Sequence, residues 1–171
     1  MAEFAAEYGS IILIAVKDTL IMLVLSTGFG YLFGIPLGVV AYITDHGSIS
    51  ENQVVNSVVG WVINIIRSIP FIILILFLIP YTRLIMGTAS GTRGVIFPLV
   101  VSATPFIARM VESSFNELDQ GVIESARAMG ATNFQIIWKV LLPESFPSLL
   151  RGMAIATITI IGYIAMAGMV G

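Results

Sequence analysis

Residues 119–143 read DQGVIESARAMGATNFQIIWKVLLP, and their local chemistry decides how the rest of the chain is understood. Asp119 can accept hydrogen bonds from the first turn of a helix whose apolar residues Val122, Ile123, Ala126 and Met129 recur at helical spacing. Gly130 supplies the left-handed residue that ends such a helix. Thr132 and Gln135 then stand in the arrangement of a capping box, which predicts a second helix through Ile136, Ile137, Trp138 and Val140 to Leu142, limited by Pro143. On the first helix Glu124 and Arg127 share a face at i and i+3, and Ser125, Ala126 and Ala128 are small enough for another backbone to come close. The segment is a built helix–turn–helix that invites a partner.

Outward from this charged segment the chain turns apolar. Of its 171 residues 57% are hydrophobic and 11% charged, with a mean hydropathy of +1.00. Soluble domains carry about 25% charged residues, so a water-soluble fold is excluded. Four charge-poor stretches, at 19–44, 52–82, 94–108 and 152–171, predict four membrane spans. The second contains Arg67, whose insertion cost of about 2.5 to 3.5 kcal/mol is offset by roughly ten large apolar neighbours. The third is short and must borrow length from residues 109–113 by snorkelling. The N-terminal residues 1–10 carry Glu3 and Glu7 but neither Lys nor Arg, and are read as retained sequence rather than a cleaved signal. If the spans alternate, Arg109, Arg127, Lys139 and Arg151 lie on one side and Lys17, Arg83 and Arg93 on the other, a margin of one basic residue for a cytoplasmic 119–143 segment.

Several function classes are removed by what is missing. A net charge of −2 provides no basic field for nucleic acid. With no cysteine and one histidine, thiol chemistry, metal sites and Ser–His triads have no parts to draw on, so no catalytic or metal residue is assigned. His46, in a short connection beside Asp45 and Gly47, is read as a turn or interface residue. The two lysines follow Val16 and Trp138, so the Gly-Lys of a nucleotide-cradling loop is absent. ATP hydrolysis by that route is closed to this chain.

The order Glu124-Ser125-Ala126, Gly130, nine residues, Val140-Leu141-Leu142-Pro143 resembles the EAA loop of membrane subunits of type I bacterial ABC importers. Ser125 stands for an alanine of that pattern and Val140 for its isoleucine, both conservative. Residues 67–71 (Arg-Ser-Ile-Pro-Phe), 104–112 (Thr-Pro-Phe-Ile-Ala-Arg-Met-Val-Glu) and 126–132 (Ala-Arg-Ala-Met-Gly-Ala-Thr) further resemble the methionine-type permeases of that group. The likeness runs from about Asp18 to Gly171. It implies an all-α type I importer transmembrane domain over residues 1–171, with four of an expected five spans present and the last C-terminal helix lacking. It implies that 119–143 is a cytoplasmic coupling loop whose Glu124, Ser125, Ala126, Arg127, Ala128, Met129, Gly130, Leu142 and Pro143 engage the ATPase. It implies a multi-pass homodimer in the bacterial inner membrane, joined by two ABC ATPase copies that hold ATP and Mg and by an extracytoplasmic binding protein. The function implied is import of D- or L-methionine by alternating access. A permease for another amino acid, or a helical membrane scaffold, are the alternatives.

Within the spans, Ser26, Gly30, Gly34 and Gly38 recur every fourth residue and predict a flat face for helix packing, with Pro36 as a kink. Thr159, Gly162 and Met166 share one side of the last span and are candidates for the pathway wall, Met166 for a gate because its thioether is flexible and polarizable. Tight packing is the competing reading for these. Arg67 is read as a boundary arginine that snorkels to the cytoplasmic interface, with Pro70 fitting a local bend. Arg109 and Glu112 are read as a local ion pair.

Overall fold

The computed structural model describes the backbone of residues 2–169 and the side chains of 8–169; the side chains of Glu3 and Glu7, together with Val170 and Gly171 of the fourth stretch, lie outside that range. All regular secondary structure among the described residues is helical, without a strand. Helix α1 (Ala2–Ile43) is followed by α2 (Gln53–Ser68), α3 (Phe71–Met86) and α4 (Gly91–Asn116). Then come α5 (Gln120–Ala128), α6 (Asn133–Ile136), a π segment (Ile137–Leu141), α7 (Leu142–Glu144) and α8 (Phe146–Ala167). The part of α1 from Tyr8 to Ile43, α4 and α8 are each long and apolar enough to cross a membrane.

The α1–α4 seam orders the bundle. A Cβ on Gly30 would sit 3.1 Å from Ala103 Cβ, and one on Gly34 would sit 2.8 Å from Ile107 and 2.9 Å from the Thr104 carbonyl. One on Gly38 would sit 2.7 Å from Val111 Cβ. The two backbones therefore meet where side chains are missing, the arrangement that lets helices pack in lipid without a hydrophobic drive. The partners rise together along both helices, so α1 and α4 run parallel. Helix α1 stays helical on both sides of Pro36.

Parallel α1 and α4 require the segment between them to carry the chain back across the bundle. That segment is not one helix. The 52–82 stretch divides at Ile69–Pro70 into α2 and α3, which are bent by 108° relative to each other. The cause is local. Pro70 has no N–H to extend the α2 ladder, and it holds Ile69 extended at φ −85°, ψ 122°. The anticipated second span is thus a broken one, far more than a local bend, and its two halves make one return crossing. The connection that follows contracts to residues 87–90, because α3 continues through Met86 to a left-handed Gly87 at φ 76°.

The other spans also exceed their charge-poor limits. Helix α4 takes in Arg93 at one end and Arg109 and Glu112 at the other, and α8 begins at Phe146, ahead of Arg151. Helix α4 is the central element. Its Leu99, Ala103, Ile107, Val111 and Phe115, one per helical turn, are buried with Phe71 and Ile75 of α3 and with Ala156, Ile160, Ile164 and Ala167 of α8. The outer face keeps large apolar residues such as Leu13, Val24 and Leu32, suited to lipid.

Candidate coupling site and pathway face

The helix–turn–helix starts from its caps. Asp119 accepts the Gly121 N–H at 2.8 Å and opens α5. At the other end Gly130 takes φ 80°, and the Ala131 N–H reaches back to the Ala126 carbonyl at 3.1 Å, closing the helix with the long bond of a left-handed cap. Thr132 then forms both halves of a capping box with Gln135, at 2.9 and 3.3 Å. The second helix does not stop before Pro143. It widens into a π turn over Ile137–Leu141, in which the Leu142 N–H bonds the Ile137 carbonyl, and then runs through Pro143 to Glu144. Proline cannot donate to the carbonyl four residues back, and the wider turn absorbs that vacancy while Ile136 and Leu141 stay buried.

Only part of the anticipated apolar face of α5 turns inward. Ile123 and Ala126 join the core, whereas Val122 is exposed and Met129 is 82% exposed. Glu124, Ser125, Arg127, Ala128 and Gly130 are exposed as well, Leu142 is half-buried and Pro143 exposed. Phe134 and Trp138 of the second helix are exposed too, with ring centroids 6.0 Å apart. An open groove of about 400 Å³ runs between the halves, lined by Met129, Gly130, Gln135 and Lys139 among others. This surface mixes exposed apolar residues (Met129, Phe134, Trp138) with polar ones (Gln135, Lys139), as interfaces do.

Arg127 pairs with no carboxylate among the described residues; its Nη2 donates to the Ser48 carbonyl at 3.3 Å. Helix α5 is thereby tied to the 44–52 turn, and the two connections lie at the same end of the bundle. Tyr42 and Phe115 reinforce that end, meeting edge to face at 5.3 Å. Inside the turn, Glu51 accepts the Gly47 N–H at 3.0 Å and lies 3.1 Å from His46 Nδ1. The Gly47 N–H first, and His46 second, hold the Glu51 carboxyl below its ordinary value. A lowered folded-state pKa stabilises the turn fully above the ordinary carboxylate range, and this is lost as pH falls through the lowered value. We expect Gly47 amide exchange, corrected for its intrinsic pH dependence, to accelerate on acidification in the parent chain. In Glu51→Gln this acid-linked step should be absent.

Inside the membrane region, Arg109 Nη1 lies 2.7 Å from Glu112 Oε2, and Arg109 Nη2 donates to Asn64 Oδ1 of α2 at 3.0 Å. The local pair is also a link between α2 and α4. Arg67 does not reach the loop end that the boundary reading assigns it. Its guanidinium carbon lies 5.8 Å from the centre of the Phe106 ring, midway along α4, and the residue is exposed in the protomer, beside the break after Ser68. On α8, Ala156, Ile160, Ile164 and Ala167 take the buried face, leaving Thr159 half-buried and Gly162 and Met166 exposed on another side. The Thr159 hydroxyl is satisfied by the Ile155 carbonyl at 2.8 Å, and a Cβ on Gly162 would meet nothing within 4 Å.

Three features escape a sequence reading. Asn64 signalled itself only as a polar residue in an apolar stretch. The Arg127 tie ends on a backbone carbonyl and leaves no side-chain trace. The exposure of Trp138 depends on which face the π turn presents, and that of Phe134 on how α6 seats against the core through Ile136.

Long apolar helices packed as a bundle, with a capped, outward helix–turn–helix at one end, define a helical protein of the membrane. Over residues 34–171 the chain matches the family described as binding-protein-dependent transport system inner membrane component, and it belongs to that family. It is 51% identical over 153 residues to the D-methionine transport system permease protein MetI of Yersinia pestis, covering 90% of this chain and 70% of that one. To the protein of the same name from Escherichia coli strain K12 it is 50% identical, with the same coverage. Its fold matches a chain of the MetNI methionine ABC transporter, solved in inward-facing conformations, with a TM-score of 0.90 and 50% identity, covering 91% of this chain and 72% of that one.

Proposed function

We propose that this chain is the membrane-spanning permease subunit of an ATP-driven importer of D- and L-methionine. It works as a homodimer with the pathway along the twofold axis, carries no nucleotide itself, and draws on two ABC ATPase copies that hold ATP and Mg. An extracytoplasmic binding protein delivers the substrate. The observation that carries the reading is the outward face of the 119–143 segment, braced on the bundle through Ile123, Ala126 and the Arg127–Ser48 tie. A rigid handle of this kind can transmit force from a cytoplasmic motor. The half identity to D-methionine permeases supports the substrate.

In this account Glu124, Ser125, Arg127, Ala128, Met129 and Gly130 meet the ATPase, Ala126 seats the handle on the core, and Leu142 with Pro143 joins it to α8. ATP closes the ATPase dimer, the handles move as rigid bodies, and the bundles reopen outward; hydrolysis resets the inward state. Thr159, Gly162 and Met166, outside the core of one protomer, form the pathway wall, with Met166 as the gate. Gly30, Gly34 and Gly38 hold α1 on α4 throughout the cycle.

The test is reconstitution with the ATPase and binding protein in proteoliposomes. Uptake of labelled methionine should require ATP and be competed by methionine of either hand. ATP-driven uptake of a different amino acid, with methionine refused, would overturn the substrate. Flux without ATP would overturn the importer.

A further inference from the structure

Two arginines occupy the α2–α4 contact, and their surroundings differ. Arg109 is neutralised by Glu112 and held by Asn64. Arg67 has no carboxylate within ion-pair distance among the described residues. Its guanidinium rests over the Phe106 ring and opens into a cleft of about 170 Å³ formed with Ile66, Ile69, Ser102 and Tyr163. The cleft lies at the α2–α3 break and midway along α4. Arg67 is exposed in the protomer, and an unpaired guanidinium within a membrane span is costly unless water or an anion reaches it, so residues of this kind mark pathways. Interrupted helices serve the same purpose, since irregular backbone at membrane depth is tolerated where it lines a cavity.

We propose that the Arg67 cleft transiently binds the α-carboxylate of the amino acid in transit. This rests on the importer reading and adds a contact made by the permease itself. The guanidinium offers a planar fork of donors that fits a carboxylate with two parallel hydrogen bonds. Phe106 holds that fork from beneath by a cation–π contact, so little is lost in ordering it. Tyr163 is fixed by stacking on Phe71, with centroids 4.7 Å apart, and with Ser102 it gives the cleft hydroxyl groups. Ile66, Ile69 and Phe106 give apolar walls. The volume, well below the roughly 300 to 1,000 Å³ of drug-sized sites, admits a small head group and suits a brief stop rather than tight capture.

The test uses the whole complex in proteoliposomes, with phenylglyoxal as an arginine-specific reagent and peptide mass spectrometry to read each site. L-Methionine, a few times above its dissociation constant, should slow Arg67 modification by about threefold or more. L-Methioninamide, which lacks the anion, should leave the rate unchanged, and Arg109 should be indifferent to both. Arg67→Gln should raise the KM for uptake by roughly ten- to a hundredfold, the loss of charge-assisted hydrogen bonds, with Arg67→Lys recovering part of it. The amide protecting as well as the acid, no protection at all, or Arg67→Gln keeping the parent KM would each overturn the site. Where the parent complex imports methionine and one of those results is found, the site alone fails; a parent complex that does not import methionine contradicts the function instead.

Discussion

Replacing Gly130 by valine, or Glu124 by lysine, should lower ATP-driven uptake at least about tenfold while the chain still inserts and assembles as a bundle. The two substitutions act differently. Gly130 sits at φ 80°, and a Cβ there would meet nothing within 4 Å, so the penalty is conformational rather than steric. A left-handed backbone costs an ordinary L-residue about 1–2 kcal/mol, and a β-branched one tolerates it least. The cap would then unwind and turn the second helix away from α5. Asparagine, which visits the left-handed region, should retain most activity at this position. Glu124 is exposed on the outward face, three residues before Arg127, and its reversal changes the charge offered to a docking partner without removing a core contact. Binding-protein-stimulated ATP hydrolysis measures both effects. Stimulation at the parent level in either variant would count against the handle.

The second large effect is on the fold. Gly34→Leu and Gly38→Leu should abolish recovery of a folded bundle from mild detergent. At Gly34 even a Cβ would lie 2.8 Å from Ile107 and 2.9 Å from the Thr104 carbonyl, and the crowding at Gly38 is tighter. Overpacking a yielding core costs about 1–3 kcal/mol, but here the obstacle includes backbone, so α1 must leave α4 along the whole seam. Gly28 is the internal control. It lies on the same helix with nothing within 4 Å of its Cβ position, and Gly28→Leu should be recovered like the parent chain. Comparable loss in all three would mean that α1 is generally intolerant of bulk, whatever it packs against.

Legibility followed the range of the interactions involved. The caps at Asp119, Gly130 and Thr132–Gln135 are contacts within a few residues, and spacing alone exposes them. The glycine stripe of α1 repeats every fourth residue and has one sensible use in lipid. The spans were visible as gaps between charges, yet their limits were not, because packing of α4 and α8 carries Arg93, Arg109, Glu112 and Arg151 into helices that hydropathy alone would end earlier. Pro70 announced a bend but not one of 108°, since the angle is set by what α2 and α3 pack against. Arg67 lies beside that break over the Phe106 ring, a neighbour that the spacing of charges does not reveal. The π turn at 137–141 was hidden for a related reason: it settles a competition between the missing Pro143 N–H and the burial of Ile136 and Leu141, which no single residue type reports.

The central claim is that the 119–143 segment is the handle by which a cytoplasmic ATPase moves this bundle. The chain has no cysteine, so Met129→Cys places a single thiol at the exposed residue that caps the end of α5. With a photoactivatable cross-linker on that thiol, in cells expressing the complete complex, illumination should yield one major adduct whose partner binds ATP. Reaction of the same thiol with a membrane-impermeant reagent added outside the intact cell, with no adduct to an ATP-binding subunit, would contradict the account.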